Sequence, residues 1–294
     1  MREVTFEQTS VTSFSVYEFG NGKGPRIAVT AAVHGDEQTA IHAAMLLIKQ
    51  LENQTINGFV KIIPICNPAS FRNRTRVSPF DRIDMNRIFP GSAEGSPTMQ
   101  LAHAIWQETR DVDYLVDLHC IGAGGTSYTL ALYREYPELR ELAHALSLPI
   151  VIQSSGVRGQ LFVESCRSDQ KALIIELPAG QPGGTIDVPA AEECCQAILR
   201  YLKHLGLLAS DFPVSPDSPV TFYAEITSLT APRPGLFLPI ASAGSSCAEG
   251  ELLGTFDGSA VTAPFAGVIT SVSPPRYCFA GENLADVAPV ERIE

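Results

Sequence analysis

Basic residues are scarce and unevenly placed. Lysine and arginine total 21 against 32 aspartates and glutamates, a formal net charge of −11. That balance excludes binding of nucleic acid, or of an anionic membrane, through a broad basic surface. Long apolar runs are also lacking: no stretch reaches the roughly 18–20 residues that a membrane span needs. The opening MREVTFEQTS has an acidic residue, a β-like pattern and no apolar core of a secretion signal, so a cytoplasmic location is expected. Paired cysteine motifs are missing. Seven cysteines stand at 66, 120, 166, 194, 195, 247 and 278 with no CxxC among them. Such an odd, scattered set is expected as reduced, mostly buried thiols, forming neither a disulfide framework nor a cysteine zinc site. Cys120 directly follows His119, but adjacent strand residues face opposite sides, so one metal does not take both.

What is present points to an α/β core. The chain has 294 residues, 45% of them hydrophobic, enough for one large domain plus a small one. Residues 1–20 alternate like edge strands. RIAVTAAVHG (26–35) is a short β-branched apolar run closed by glycine, which predicts a buried strand. Residues 36–53 repeat apolar positions at helical spacing. FVKIIPIC (59–66), DYLVDLHC (113–120), SYTLALY, PIVIQ and KALIIEL (171–177) read as further strands. TMQLAHAIWQETR, PELRELAHALSL and residues 188–205 read as helices. Strands alternating with helices of these lengths predict a largely parallel or mixed sheet.

The pattern changes after ASDFPVSPDSP (209–219), a Pro/Ser/Asp-rich linker. Beyond it come short strands separated by Gly and Pro. TAPRPGLFLP (230–239) and TAPFAGVITS (262–271) repeat one unit, and each is followed by a Gly-Glu turn, at Gly250-Glu251 and Gly281-Glu282. This resembles the two-fold pseudo-repeat of a barrel-sandwich domain of the biotinyl/lipoyl type. No lysine occurs in 220–294, which excludes a carrier domain with a modified lysine. The expected division is 1–210 for the α/β domain and 220–294 for a small β domain roofing it.

Candidate chemistry gathers at strand ends, where ligands bind in open α/β sheets. His34 and Glu37 lie just past the strand at 26–33, spaced to point at one metal across a strand-to-helix turn that Gly35 permits. His119 closes DYLVDLH. Two histidines and a glutamate leave an open fourth position, the catalytic zinc pattern. Either element alone arises often by chance. Asp117, two residues before His119, shares its strand face. It is read as an acceptor for a ligand imidazole, as a ligand, or as a cap on a turn. Glu176 sits in the apolar ALIIELP, where an unpaired carboxylate is costly. It is read either as a partner of an arginine or as a general base. Five of the sixteen arginines fall between Arg72 and Arg87, fitting an anionic ligand or a loop of surface ion pairs. The other histidines, His42, His103, His144 and His204, fall in expected helices without acid partners.

Together His34-x-x-Glu37, Asn67-Pro68, Arg76, Asp84-Met85-Asn86-Arg87, Asp117-Leu118-His119 and Glu176 resemble the succinylglutamate desuccinylase/aspartoacylase family, a branch of the zinc carboxypeptidase superfamily. The resemblance covers about 25–205, and the β domain afterwards fits. It implies a three-layer zinc-carboxypeptidase-like domain with a mixed sheet. It implies one Zn2+ per chain on His34, Glu37 and His119, and Glu176 as general base and acid. Arg76 would stabilise the oxyanion; Asn86 and Arg87 would hold a substrate carboxylate. Arg167, nine residues before Glu176, matches a substrate-binding arginine that the family carries at ten. The insert VSPFDRIDM between Arg76 and Asn86, Leu-Pro-Ala-Gly after Glu176, and the lack of a tyrosine before Arg167 depart from the aspartoacylase pattern and leave the acyl group open.

The leading expectation is a deacylase acting on a small anionic acylated substrate. A metallocarboxypeptidase or amidase on short peptides is the second reading, and a non-catalytic zinc-containing binding protein the third. No nucleic acid or membrane partner is expected. A homo-oligomer is compatible with the sequence, which does not fix subunit number.

Overall fold

The apolar runs lie side by side in one large sheet. In the computed structural model, which describes residues 1–5, 13–181 and 183–291, the chain forms β1 (Arg2–Thr5), β2 (Ser13–Gly20), β3 (Arg26–Ala31), α1 (Gln38–Leu51), β4 (Phe59–Ile63) and α2 (Pro68–Asn73). After a short 3-10 turn at Met85–Arg87 come α3 (Pro97–Thr109), β5 (Tyr114–Gly122), β6 (Tyr128–Ala131), α4 (Glu138–Leu146), β7 (Ile150–Gln153), α5 (Leu161–Arg167), β8 (Lys171–Pro178), α6 (Val188–His204) and β9 (Thr221–Tyr223). The sheet order is β1-β2-β4-β3-β5-β8-β6-β7-β9. Its centre, β4-β3-β5-β8, is parallel, and β2 and β6 flank it antiparallel. Successive residues of β3 and β5 are buried. Side chains alternate faces, so both faces of the central sheet are covered.

Two of the helices, α2 and α6, start at capping side chains. Asn67 accepts from the Ser70 amide ahead of α2, and Asp187 from the Ala190 amide ahead of α6, each followed by proline in the first turn. Asp81, from the arginine-rich segment, bonds the Thr98 amide and the Thr98 and Ser96 hydroxyls at the start of α3. α1 buries Ala40, Ala43, Ala44, Leu47, Ile48 and Leu51 at helical spacing and packs on α6 and the central strands. No helix is long and apolar enough, among the described residues, to cross a membrane. All seven cysteines are buried free thiols.

The first strand beyond the expected linker, β9, still belongs to the large sheet, pairing with β7. Its three residues carry too little pattern to be assigned from sequence, so the boundary expected at 220 moves to the antiparallel sheets that start at Thr227. These comprise β10 (Thr227–Thr230), β11 (Gly235–Pro239), β12 (Ser246–Cys247), β13 (Leu252–Phe256), β14 (Ser259–Thr262), β15 (Gly267–Val272), β16 (Arg276–Cys278) and β17 (Asn283–Pro289). One sheet runs β10-β17-β15-β12, the other β14-β13-β11-β16. Advancing every strand by four positions, cyclically, exchanges the two sheets, as the sequence repeat requires. The halves interlock. Ala231 of the first Thr-Ala-Pro donates to Glu282 O, and Ala263 of the second to Glu251 O, both at 2.8 Å.

This unit docks on the loop that follows β5. Thr126 N donates to Thr270 O at 3.1 Å and Val272 N to Gly124 O at 2.9 Å. Gly124 has φ +84°, and a Cβ there would stand 2.0 Å from Val272 O, so only glycine allows the approach. Tyr128, Ile150, Ile152, Tyr223, Val268 and Ala288 form a separate apolar cluster across the junction.

Candidate active site

Three strand ends converge as the parallel sheet dictates. β3 leads into a turn whose Ala32 takes φ +51°, and His34 and Glu37 follow it. Gly35 lies against α2: a Cβ there would stand 2.0 Å from the Ser70 carbonyl carbon, and its amide donates to Thr75 O. Glu37 is the N-cap residue of α1, yet its side chain makes no capping bond. It turns to the two histidines instead. His34 Nδ1 lies 2.7 Å from Glu37 Oε1, and His119 Nδ1 lies 2.9 Å from Glu37 Oε2. All three side chains are buried. One ligand atom from each falls within 4.8 Å of the others.

Both imidazoles are oriented by carboxylates. His34 Nε2 sits 3.0 Å from Asp84 Oδ1, and His119 Nε2 sits 3.0 Å from Asp117 Oδ2. Asp117 in turn accepts from the Thr30 hydroxyl at 2.7 Å. Of the readings open for Asp117, the structure places it behind the imidazole. With a cation bound, a proton kept on each Nε2 by its carboxylate would leave the Nδ1 lone pair free for the ion, which is how metal-binding histidines are set. Two inward imidazole nitrogens and a carboxylate suit a zinc ion in type and number. Cys120 faces elsewhere, its thiol pushed well up by burial.

The electrostatics show how tightly the cluster is coupled. Burial alone would raise the Glu37 carboxyl, but His34 and His119 outweigh it and hold it far below the carboxylate range. Burial would lower the His119 imidazole, but Asp117 and Glu37 drive it well above its usual value. Asp84 is likewise held low, against burial, by His34, Arg76 and Arg87.

Glu176 on β8 pairs in register with His119 on β5, so both project from one face of the sheet. It is half-buried, and its side chain forms no hydrogen bond or ion pair with a described residue. The arginine partnership read from sequence is therefore absent. Burial, aided by the charge of Glu37, pushes its carboxyl up to about 7, while His119, His34 and Arg76 pull the other way. Those four groups are the surroundings of a residue beside the cluster.

Arg76 donates from Nε and Nη2 to Asp84 Oδ2, at 3.1 and 3.0 Å. Its Nη1 is 4.0 Å from Glu37 Oε1. Asn86 is buried with Nδ2 3.3 Å from His119 Nε2, and its Oδ1 accepts from the Leu161 amide at the start of α5. Arg87 is exposed, one Nη donating to Asn86 O. Arg167 is not brought here. It ends α5, whose first residue meets Asn86, and stands exposed just before Gln170, whose side chain bonds Thr109 O and Val112 O ahead of β5. The family resemblance suggested a substrate-binding role, but α5 ends at Arg167 and β8 then runs from Lys171 through Glu176, which leaves Arg167 at the opposite end of the strands. Two contacts escaped the sequence reading. Asp84 joins His34 to Arg76, and Gln181 Nε2 donates to Glu37 Oε1 at 2.6 Å. Gln181 sits in a Gly/Pro-rich turn that carries no chemical signal.

Comparison with known proteins places the fold and the family. Over its full length the fold matches a succinylglutamate desuccinylase/aspartoacylase from Rhodobacter sphaeroides, with TM-score 0.83, 23% identity, and 98% and 94% of the two chains covered. It also matches the product-bound ectoine utilization protein EutE (DoeB) from Ruegeria pomeroyi, with TM-score 0.82, 20% identity, and 98% and 93% covered. At these identities the likeness establishes the fold. In sequence, N-alpha-acetyl-L-2,4-diaminobutyric acid deacetylase from Halomonas elongata is 27% identical over 205 residues, 67% of this chain. The match spans 59% of that relative's length. Residues 23–205 match the family described as the succinylglutamate desuccinylase/aspartoacylase catalytic domain, and that span holds every residue of the cluster. The chain therefore belongs to the succinylglutamate desuccinylase/aspartoacylase family.

Proposed function

We propose that the chain is a zinc-dependent hydrolase that cleaves the amide bond of an N-acyl amino acid or a similar small anionic substrate. One observation carries the reading: His34, Glu37 and His119 turn one ligand atom each to a common point, with Glu176 on the neighbouring strand. The family and the deacetylase relative support the same chemistry. His34, Glu37 and His119 would hold the ion. A bound zinc supplies Lewis acidity, acidifying water and polarising a carbonyl.

The chain's own residues do the rest. Glu176 accepts the proton of the attacking water and returns it to the leaving nitrogen as the C–N bond breaks. A carboxylate beside the reacting atoms can do both, as base and then as acid. Arg76 is clamped by Asp84 and keeps Nη1 toward the cluster, where it faces negative charge developing on the carbonyl oxygen. Asn86 offers its amide nitrogen, since its oxygen is engaged by Leu161. Arg87 leaves donors of its guanidinium fork for a carboxylate.

The C-terminal sheets form a barrel-sandwich of the biotinyl/lipoyl type in this reading and wall the site against long chains. Their docking on the loop that continues the His119 strand supports this. The test is a screen of N-acetyl, N-succinyl and related acyl-amino acids, alongside dipeptides, with and without zinc. Zinc-restored release of free amino acid from an N-acyl substrate is expected. Hydrolysis confined to dipeptides, or none with zinc bound, would overturn the proposal.

A further inference from the structure

We infer that Gln181 is a positioning residue of the metal cluster: its side-chain amide holds Glu37 by one carboxylate oxygen and so strengthens the grip of His34, Glu37 and His119 on a divalent cation. The inference rests on the zinc reading above.

The amide has one available orientation. Nε2 donates to Glu37 Oε1 at 2.6 Å and to the Cys120 carbonyl at 2.8 Å. Its two hydrogens meet two acceptors, whereas a flipped amide would set its oxygen against both. The backbone carries it there under constraint. Ala179 and Gly180 take φ +60° and +79°. A Cβ on Gly180 would stand 2.8 Å from Cys120 Sγ and 3.1 Å from Glu37 Cα. The turn is closed by Gln181 N to Ala179 O and by Ala123 N to Gln181 O, at 3.0 and 3.1 Å. The segment that follows Glu176 is thereby folded back over the ligand glutamate and tied to the loop that follows His119.

The chemistry gives this contact its weight. Among the described residues, hydrogen bonds reach the buried Glu37 carboxylate from three side chains: His34, His119 and Gln181. An imidazole nitrogen that gives its lone pair to a cation no longer carries a proton to donate. With both histidines so engaged, Gln181 is the remaining hydrogen-bond donor to Glu37. Arg76 stays at 4.0 Å, beyond hydrogen-bond reach. A neutral donor at this place orients the carboxylate without competing for its charge. Loss of such a partner behind a metal ligand typically costs about 10–100-fold in metal affinity.

The experiment uses the full chain stripped of metal. Zinc affinity is measured by chelator competition at neutral pH for the wild type, for Gln181→Met, which keeps the length and loses the donor, and for Gln181→Ala. Unfolding midpoints of the metal-free proteins control for damage to the turn. If Gln181→Met does not fold, Gln181→Ala is read alone. The visible spectrum of the cobalt-substituted proteins reports the ligand field separately from activity. The expected result is zinc binding weakened about 10–100-fold with a changed cobalt spectrum and a near-unchanged metal-free midpoint. Folded variants that bind zinc within two-fold of the wild type, with its cobalt spectrum, would overturn the role of Gln181 and leave the zinc reading standing. A wild type that binds no zinc would overturn both.

Discussion

Glu176 carries the sharpest trade between stability and chemistry. Its carboxyl moves from an ordinary 4.5 to about 7 on folding, chiefly through burial. The folded metal-free protein therefore favours the neutral form. The associated stability is full below about pH 4.5 and is lost as pH rises through 7. The full shift corresponds to about 3 kcal/mol, and partial exposure reduces that to about 1–2 kcal/mol. Glu176→Gln is expected to stabilise the metal-free protein by this amount at pH 8 and by far less near pH 5, as read by urea unfolding. The same substitution should lower turnover about 10²–10⁴-fold, with zinc content retained. At this scale the sequence was legible where the signal was local. His34-x-x-Glu37 spans one turn, and His119 and Glu176 end apolar runs. Arg167 misled because the resemblance matched it by its offset from Glu176, while β8 lies between the two and holds them at opposite ends of the strand. Gln181 was silent because its role arises from a backbone turn.

The elements fix these residues through close backbone contacts. Gly35 lets the β3–α1 turn lie on α2, and Gly35→Ala would drive a methyl into the Ser70 backbone. Overpacking of this kind costs about 1–3 kcal/mol, and it falls between two ligands. The expected outcome is zinc content well below one per chain with far-ultraviolet dichroism nearly unchanged. Thr30→Val on β3 tests the register between strands. It removes the bond to Asp117 and leaves a buried carboxylate oxygen short of a donor, costing about 1–3 kcal/mol, with weaker zinc binding. The long strands and amphipathic helices were legible because burial imposes a period on them. α2 and α5 were not, being one to two turns long. Six of the seven residues of α5 are buried, which erases any helical period.

At the scale of the molecule, two cores meet across one apolar seam. Val268 and Ala288 from the C-terminal sheets pack with Tyr128, Ile150, Ile152 and Tyr223, and Tyr128 pairs in register with Glu176. Val268→Asp at the seam would bury an unpaired charge, costing about 3 kcal/mol or more. Calorimetry of this variant should split a single unfolding transition in two or lower its midpoint sharply. The repeat inside the C-terminal unit was legible because both halves needed the same turn residues. The loop on which it docks was not, since the glycines at 124 and 125 gain their meaning only against β15.

The central claim is that His34, Glu37 and His119 share a zinc ion. Anomalous diffraction at the zinc edge, from crystals of the full chain grown with zinc, tests it most directly. The account predicts one strong peak bounded by His34 Nδ1, His119 Nδ1 and a Glu37 oxygen, and none in crystals of His119→Ala. No peak at that point in the wild type, or a peak held by other side chains, would contradict it.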